Sequence, residues 1–515
     1  MSRINEEVVL NYYLNLMEDD QVEFMKGKPH VKKEVRNCIN QLKQEEQIHN
    51  RIGVAKELWK ILFEAAMSFI HPDKSGYDEL FDYFDKFVEF EELIFATDSF
   101  YRDHTLHCLW VYFLGEYIYN KDEFYKIVRK DRDETNHFLH LLGYLMKDEE
   151  IIKKVGKEGK ETFEALEKYM SMEQAVHCIT ALTHDLGYPI KKINRINSSI
   201  GKILPNFSIK SFSEFDFKYN NEQVQFIKTF IDFIGDDIHT SLNFTDEDGG
   251  RIRYDVNPDM DDTEAIFLAK KELLKGDSLK HLVIKHSLKQ IPAQRLRYSC
   301  DFESYQHGIM SAYLLMTTLR TFKTMNFIHD KDDQIIIDMN HYANLASKQD
   351  ILKAISDHTS DGFRIQDLSH VSQFLTFIDE LEEFSRISRG NQYRQYINEF
   401  CQTDLYIKDD IFHIDFIFDN EEIVGLDPER AFKGKCKRLL SLFDIPQLSE
   451  DLKIHYRVLG RLKKDQKIYE LIIKNKFAKI IIDGEEQAIP QYLNSRDFLT
   501  SEEYALLRED EQIMH

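Results

Sequence analysis

Apolar residues recur at intervals of three and four along most of the chain, and this spacing is typical of amphipathic helices. The pattern predicts helices over residues 54–70, 77–95, 101–119 and 172–185. Ser171 is a candidate N-cap for the last of these helices, with Gln174 three residues further on. Helices are predicted again over 304–322, 348–357 and 371–386.

The period changes after about residue 390. Residues 404–418 alternate between apolar and polar around Asp409-Asp410, which predicts a β-hairpin. A helix over 428–442 is expected to follow, and then strands over 454–459, 467–473 and 478–482. The predicted fold class is therefore mainly α, with a smaller C-terminal α+β domain.

Residues 190–300 have a weaker pattern. We predict a helical insertion that carries an acidic loop at 245–251, and this loop could act as a lid. The alternative is a plain surface insertion without a role at a site.

Composition narrows the classes of function. The 515 residues carry a formal net charge of -23, which argues against a broad surface for long nucleic acid. The six cysteines are scattered without a Cys-x-x-Cys motif, so neither a cysteine zinc site nor a disulfide framework is expected. The N-terminus lacks an apolar signal core, and no stretch has the length of a membrane span. We expect a cytoplasmic protein that is not inserted in a membrane.

One doublet, His184-Asp185, carries the strongest chemical signal. It closes a predicted helix, and Gly187 and Pro189 behind it are expected to end that helix. Adjacent nitrogen and oxygen ligands at a fixed helix end can bind one metal ion from two sides. Histidine or aspartate also occurs in suitable positions in segments 102–111, 305–312, 351–359 and 374–386.

Taken in order, these segments resemble the HD-domain metal-dependent phosphohydrolase superfamily over about residues 100–390. That family has a His on one helix, a His-Asp doublet on the next and an Asp on a late helix, and two more histidines mark its two-metal members. The resemblance assigns the metal ligands to His107, His184, Asp185, His307, His358 and Asp379. It implies an HD-type helical domain over 96–390 with the insertion at about 190–300. An N-terminal helical region, 1–95, and the α+β domain, 391–515, flank it.

Imidazole and carboxylate ligands suit one or two divalent ions, of Mn, Fe, Ni, Co, Mg or Zn. Among the candidates only Asp185 is adjacent to another, so we expect it to bridge two ions. His184 and Asp379 are then expected to bind the first ion together with His107, and His307 and His358 the second. Asp185 and His184 are the predicted catalytic residues.

Two histidines compete for the position on the first helix. His104 points about 60° away from His107 on an ideal helix. The family pattern His-small-x-x-Val matches His107 to Val111, so His107 is the predicted ligand. His104 is expected to be satisfied locally or to support the site from behind.

Other polar residues near the motifs have plainer interpretations. Asp357 could cap its helix or orient His358. His177 is expected to be a buried or supporting histidine, whereas His341 and His370 are expected at the surface.

Four basic residues are candidates for substrate binding: Lys191, Lys192, Arg386 and Arg102. The two lysines follow the doublet closely and could reach a phosphate as point charges. They could equally be solvated lysines after a helix end. Arg386 is expected two turns after Asp379 on the same helix, where it could pair with a phosphate or an acidic neighbour. The role of Arg102 stays open.

These features predict a hydrolase that cleaves a phosphoester or phosphoanhydride in a nucleotide or related small phosphorylated compound. A single-strand nuclease or phosphodiesterase is a subclass of this prediction. The alternative is a metal- or nucleotide-binding sensor without turnover, and turnover itself discriminates the two. The C-terminal domain carries no recognised motif, so its default interpretation is regulation or formation of a homo-oligomer.

Overall fold

A computed structural model gives the fold of the chain. It describes residues 4–95, 100–130, 149, 164–165, 167–209, 213, 218–245, 281–323, 327–329, 335–337, 339–383, 386–388, 402–421 and 426–489. Helix is the dominant structure of the described residues, and a six-stranded sheet forms near the C-terminus. The predicted fold class, mainly α with a smaller α+β domain, is confirmed.

Most of the helices lie before residue 390, and one follows in the C-terminal part. In chain order the α-helices of the described residues are α1 (Glu6–Glu18), α2 (Pro29–Gln44), α3 (Ile48–Ile70), α4 (Tyr77–Phe95), α5 (His104–Asn120), α6 (Tyr125–Val128), α7 (Glu173–Thr183), α8 (Tyr188–Ile203), α9 (Asn221–Gly235), α10 (Pro292–Glu303), α11 (His307–Thr318), α12 (Arg320–Lys323), α13 (Met339–Asp357), α14 (Val371–Leu381) and α15 (Pro428–Leu442). Within the described ranges, none of them is both long enough and apolar enough to cross a membrane.

The strands are mostly short. They are β1 (Phe100–Arg102), β2 (Asp236–Thr245), β3 (His281–Gln290), β4 (Phe327–His329), β5 (Ile335–Ile337), β6 (Arg386–Ser388), β7 (Gln402–Lys408), β8 (Ile411–Phe418), β9 (Ile454–Gly460), β10 (Ile468–Lys474), β11 (Phe477–Ile482) and β12 (Glu485–Gln487). The contacts divide the chain into two compact units. Unit 1 comprises Met1–Phe63, Asp85–Lys130 and Asp361–His515, and unit 2 comprises Glu64–Phe84 and Asp131–Ser360.

Unit 1 contains the sheet, in the order β12-β11-β10-β9-β8-β7. All neighbours are antiparallel except β8 and β9, which run parallel and are connected through α15. The predicted hairpin is confirmed, since β7 pairs with β8 around Asp409 and Asp410. Both aspartates have positive φ, 54° and 57°, as a type I′ turn requires.

Helix α5 is the centre of the helical part of unit 1. Its side chains are buried on every face, as expected of a helix that is apolar all round. Tyr13 of α1 packs on Phe113 with ring centroids 4.9 Å apart, and Gly115 faces Phe374 of α14. This packing fixes the relative positions of the helices that carry His107 and Asp379.

Unit 2 brings together α7, α8, α11 and α13, the helices that carry or adjoin the other four predicted ligands. Residues 175–183 of α7 are all buried. Polar contacts fix the junction of α9 and β2: Arg295 makes a bidentate ion pair with Asp236 at 2.6 and 2.7 Å. Gln349 of α13 donates to the carbonyls of Phe233 and Asp236.

The prediction of a helical insertion is wrong over Asp236–Thr245 and His281–Gln290, which are strands. Strands β2 and β3 pair antiparallel over ten residues each, from Asp236↔Gln290 to Thr245↔His281. Their pairing is stabilised by backbone hydrogen bonds between residues far apart in sequence, which a local pattern does not reveal. Residues 246–251 of the predicted acidic loop lie outside the described residues.

Several helix ends differ from the prediction. The helix predicted over 371–386 ends at Leu381, and Arg386 lies in β6 instead of on this helix. The segment 304–322 is broken before His307, where Tyr305 has a positive φ of 52°, and again at Leu319. Ser171 does not cap α7, because its hydroxyl donates to the Lys168 carbonyl.

Candidate metal centre

The doublet His184-Asp185 lies in the tight turn between α7 and α8. Gly187 has φ -82°, so its role is close approach and not a left-handed conformation. A Cβ at Gly187 would lie 2.3 Å from the His307 carbonyl oxygen and 2.6 Å from the Ser311 nitrogen. The Ser311 hydroxyl accepts from the Gly187 N–H and donates to the His184 carbonyl, both at 2.7 Å. The doublet is thereby fixed against the first turn of α11.

Asp185 faces two histidines of other helices. Its Oδ1 lies 3.1 Å from Nε2 of His307, the first residue of α11, and 3.6 Å from Nε2 of His358, just after α13. The ligand atoms of Asp185, His307 and His358 lie within 4.8 Å of one another. Two ligands about 2.1 Å from one ion lie about 3.0 Å apart at a right angle and about 3.4 Å apart at a tetrahedral angle. The separations around Asp185 are close to these values.

Hydrogen bonds to backbone carbonyls determine the tautomers of two of the rings. Nδ1 of His358 donates to the Ile355 carbonyl at 2.6 Å, and Nδ1 of His184 to the Ala181 carbonyl at 2.8 Å. Because a carbonyl only accepts, each neutral ring carries its proton on Nδ1 and a lone pair on Nε2. The His358 Nε2 is buried and makes no hydrogen bond to any described residue. A buried imidazole lone pair beside a carboxylate fits a metal ion.

Unit 1 contains a second arrangement of the same kind. His107 is fully buried in α5, and its Nδ1 lies 2.6 Å from Glu382 Oε2. Its Nε2 lies 2.9 Å from Oδ1 of Asp379 in α14. A ring that donates through Nδ1 to Glu382 presents its Nε2 lone pair to the Asp379 carboxylate. These two atoms attract each other only if a proton or another cation lies between them.

His104 is satisfied locally, as predicted. Its Nδ1 and its backbone N–H both contact the carboxylate of Glu91, the latter at 2.9 Å. The preceding residue, Asp103, caps α5 by accepting from the Leu106 N–H at 2.9 Å. Burial, with a smaller contribution from Glu91, raises the pKa of Asp103 to about 7.

Asp357 supports the segment before His358. Its Oδ1 accepts from Nη2 of Arg297 at 2.7 Å and from the Tyr298 hydroxyl at 2.8 Å. Gly308 lets α11 approach the same segment, since a Cβ there would lie 2.3 Å from the Ile355 carbonyl oxygen and 2.8 Å from the His358 ring. Both features fix where His358 can point.

The two candidate lysines lie next to the His307 segment. Lys191 donates to the side chain of Gln306, the residue before His307, at 2.9 Å. The ammonium of Lys192 lies 4.4 Å from the centroid of Tyr188, whose ring meets that of His307 edge-on at 5.7 Å. Both lysines are thus positioned by neighbours of a candidate ligand.

The two candidate arginines are opposite each other in a strand pair. Arg102 of β1 and Arg386 of β6 are Cα partners, and their side chains lie outside the described residues. Of the remaining histidines, His177 is buried and lies 3.9 Å from Glu173, whereas His370 is exposed. The side chain of His341 is not among those described.

Glu382, Ser311 and Gly308 are the site residues that sequence reasoning missed. Glu382 follows Asp379 by three residues, the spacing at which two side chains leave a helix on one side, and this signal was available. The roles of Ser311 and Gly308 depend on which helices approach each other, so a single sequence does not reveal them.

Comparison of the chain with protein-family models, with curated proteins and with solved structures gives no match. The structure itself shows a mainly helical protein with buried histidine and aspartate side chains that could hold a metal ion. Its class is therefore a candidate metalloprotein, and the arrangement is compatible with an HD-type fold.

Proposed function

We propose that this protein is an HD-type metal-dependent phosphohydrolase that cleaves a phosphoester or phosphoanhydride in a nucleotide or related small phosphorylated compound. One observation carries the proposal. Asp185 faces His307 and His358 at 3.1 and 3.6 Å, and the His358 ring is fixed with its Nε2 lone pair turned toward the carboxylate.

Each predicted ligand has a role in binding. Asp185, with two carboxylate oxygens, is the proposed bridge, and His307 and His358 are the proposed ligands of one ion. His107 and Asp379 of unit 1 are proposed metal ligands, and His184 of unit 2 is a further proposed ligand, each on the strength of the family resemblance. Lewis-acid activation of water and of a phosphoryl oxygen is the chemistry that divalent ions supply in such sites.

The chain's own residues supply orientation and charge. The backbone carbonyls of Ala181 and Ile355 hold His184 and His358 in the ligand tautomer. Lys191 and Lys192 place two ammonium groups beside the His307 segment, where they could offset phosphate charge. The net charge of -23 repels an anionic substrate, and these local cations would offset part of that repulsion.

The test is hydrolysis of bis-p-nitrophenyl phosphate, of a nucleotide panel and of single-stranded oligonucleotides in added Mn²⁺, Ni²⁺, Co²⁺ or Mg²⁺. Wild type is compared with Asp185→Asn, and Asp361→Asn, an exposed aspartate after the His358 segment, is the matched control. Metal-dependent turnover by wild type and the control, but not by Asp185→Asn, is the expected result. Metal binding without turnover of any panel member would instead favour a sensor, and turnover of single-stranded oligonucleotides alone would favour a nuclease.

A further inference from the structure

The end of α14 carries an unusual concentration of negative charge. Four of the five residues 379–383 are acidic: Asp379, Glu380, Glu382 and Glu383. The helix ends at Leu381, and the C-terminal end of a helix dipole disfavours anions. Adjacent carboxylates also repel one another, and Glu382 and Glu383 are buried. This turn is stable only if other groups compensate its charge.

One pair of these carboxylates faces α5. Asp379 and Glu382, three residues apart, lie 2.9 and 2.6 Å from the two ring nitrogens of His107. The two carboxylates therefore lie on opposite sides of the His107 ring, one beside each ring nitrogen.

The other pair faces α15 of the C-terminal domain. The Lys435 ammonium donates to the Glu380 carbonyl oxygen at 2.5 Å and lies 3.0 Å from Glu383 Oε1 and 3.5 Å from Glu380 Oε2. Nε of Arg438 donates to Glu380 Oε1 at 2.6 Å. The Glu380 carbonyl is one of the last four of the helix and has no partner within it. Lys435 therefore compensates both the helix end and the side chains.

We propose that Lys435 and Arg438 are positioning residues that hold the last turn of α14 so that Asp379 and Glu382 face His107. The C-terminal domain then takes part in building the metal centre through α15. The proposal rests on the proposed function in one respect, namely that Asp379 and His107 bind a metal ion.

The decisive variant is Lys435→Met, which keeps the apolar stem and removes the charge. Lys437→Met is the matched control, because Lys437 is exposed on the same helix. Two quantities are measured on the full chain: Mn²⁺ affinity, and hydrogen exchange of the peptide that covers residues 374–383. Lys435→Met is expected to weaken Mn²⁺ binding about tenfold or more and to speed exchange in that peptide. Lys437→Met is expected to match wild type in both.

A second variant separates positioning from loss of folding. Lys435→Met combined with Glu383→Gln removes a buried negative charge together with the cation that lies 3.0 Å from it, so it is expected to recover part of the Mn²⁺ affinity. A folded Lys435→Met protein with the affinity and exchange of Lys437→Met would overturn the proposal, as would a double variant no better than the single one. Weaker Mn²⁺ binding in Lys435→Met, with a wild type that turns over no phosphate ester, would support positioning and defeat the phosphohydrolase. A wild type that binds no Mn²⁺ would overturn both.

Discussion

At the scale of single residues, the most informative atom is Nε2 of His358. It is buried, accepts no hydrogen bond from a described residue and lies near the Asp185 carboxylate. A structural core histidine normally has both ring nitrogens satisfied. A metal ligand has one ring nitrogen fixed by a donor bond and the other available, and His358 has this arrangement.

The His358→Gln variant tests this interpretation through linkage between binding and stability. A ligand that binds only the folded state raises stability with its concentration, so Mn²⁺ should raise the unfolding temperature of wild type. The rise should shrink markedly in His358→Gln and stay unchanged in His370→Gln, which alters an exposed histidine. Differential scanning fluorimetry over a Mn²⁺ series measures both. Equal shifts in all three proteins would remove His358 from the site.

Gly187 offers a second residue-scale prediction. Gly187→Ala should destabilise the protein by about 1–3 kcal/mol, because the new methyl group would overlap α11. Gly434→Ala is the control: Gly434 lies in α15 with nothing within 4 Å of an added Cβ. That substitution should stabilise by about 0.5–1 kcal/mol, since alanine is the better helix former. Urea unfolding compares the two, and a neutral Gly187→Ala would mean that the two helices do not approach so closely.

At the scale of elements, the cap of α5 gives a pH prediction. Burial raises the pKa of Asp103 to about 7, above the ordinary value of 3.8. Between these values the folded state retains a proton that the unfolded state releases, so this group's contribution to stability falls as pH rises from about 4 to 7. Asp103→Asn keeps a capping oxygen but cannot ionise, and it should flatten that fall.

Unfolding midpoints at pH 4.5, 5.5 and 6.5 measure the effect of Asp103. The control is Asp427→Asn, an exposed cap whose side chain accepts from the Arg430 N–H of α15 at 3.0 Å. The stability gained by Asp103→Asn relative to the control should grow with pH. A gain that is constant across the three values would contradict the raised pKa.

The hairpin turn between β7 and β8 can be improved by design. Asp409 and Asp410 both adopt positive φ, which costs an L-residue more than glycine. Asp410→Gly should therefore stabilise by up to about 1 kcal/mol. The two-residue turn before β12 already has Asp-Gly, with Gly484 at φ 86°, so Gly484→Asp is the reciprocal control and should destabilise. Unfolding temperatures that both rise or both fall in the two variants would contradict the turn assignment.

Elements with strong local patterns were predictable from the sequence. The helices at 77–95 and 428–442 and the hairpin around Asp409 lie where the apolar spacing places them. The failures depend on partners distant in sequence. Strand β2 pairs with β3 more than 30 residues later, and Arg386 lies in a strand that pairs with β1. The helical pattern continues to residue 386, whereas the helix ends at Leu381.

For the candidate site, the sequence supplies ligand candidates but not the contacts that orient them. The chemical identity of His107, Asp185 and His358 as ligand candidates followed from motif order. The groups that orient these ligands could not be predicted. They are Glu382, Ser311 and the carbonyl of Ile355, which act through contacts that no spacing in one sequence specifies.

At the scale of the whole molecule, the six predicted ligands are divided between the two compact units. His107 and Asp379 belong to unit 1, and the other four belong to unit 2. Each unit orients its own ligands by contacts within itself, through Glu382 in one and through backbone carbonyls and Ser311 in the other. The binding of one or two ions per chain remains a prediction.

Metal content is the direct test of whether the chain binds divalent ions through Asp185. Wild type and Asp185→Ala, each equilibrated with Mn²⁺ and freed of loosely bound ions, are analysed for metal per chain by elemental analysis. Wild type is expected to contain one or two ions per chain, and the folded Asp185→Ala variant clearly fewer. Wild type without bound metal, or a variant that retains the full wild-type content, would contradict it.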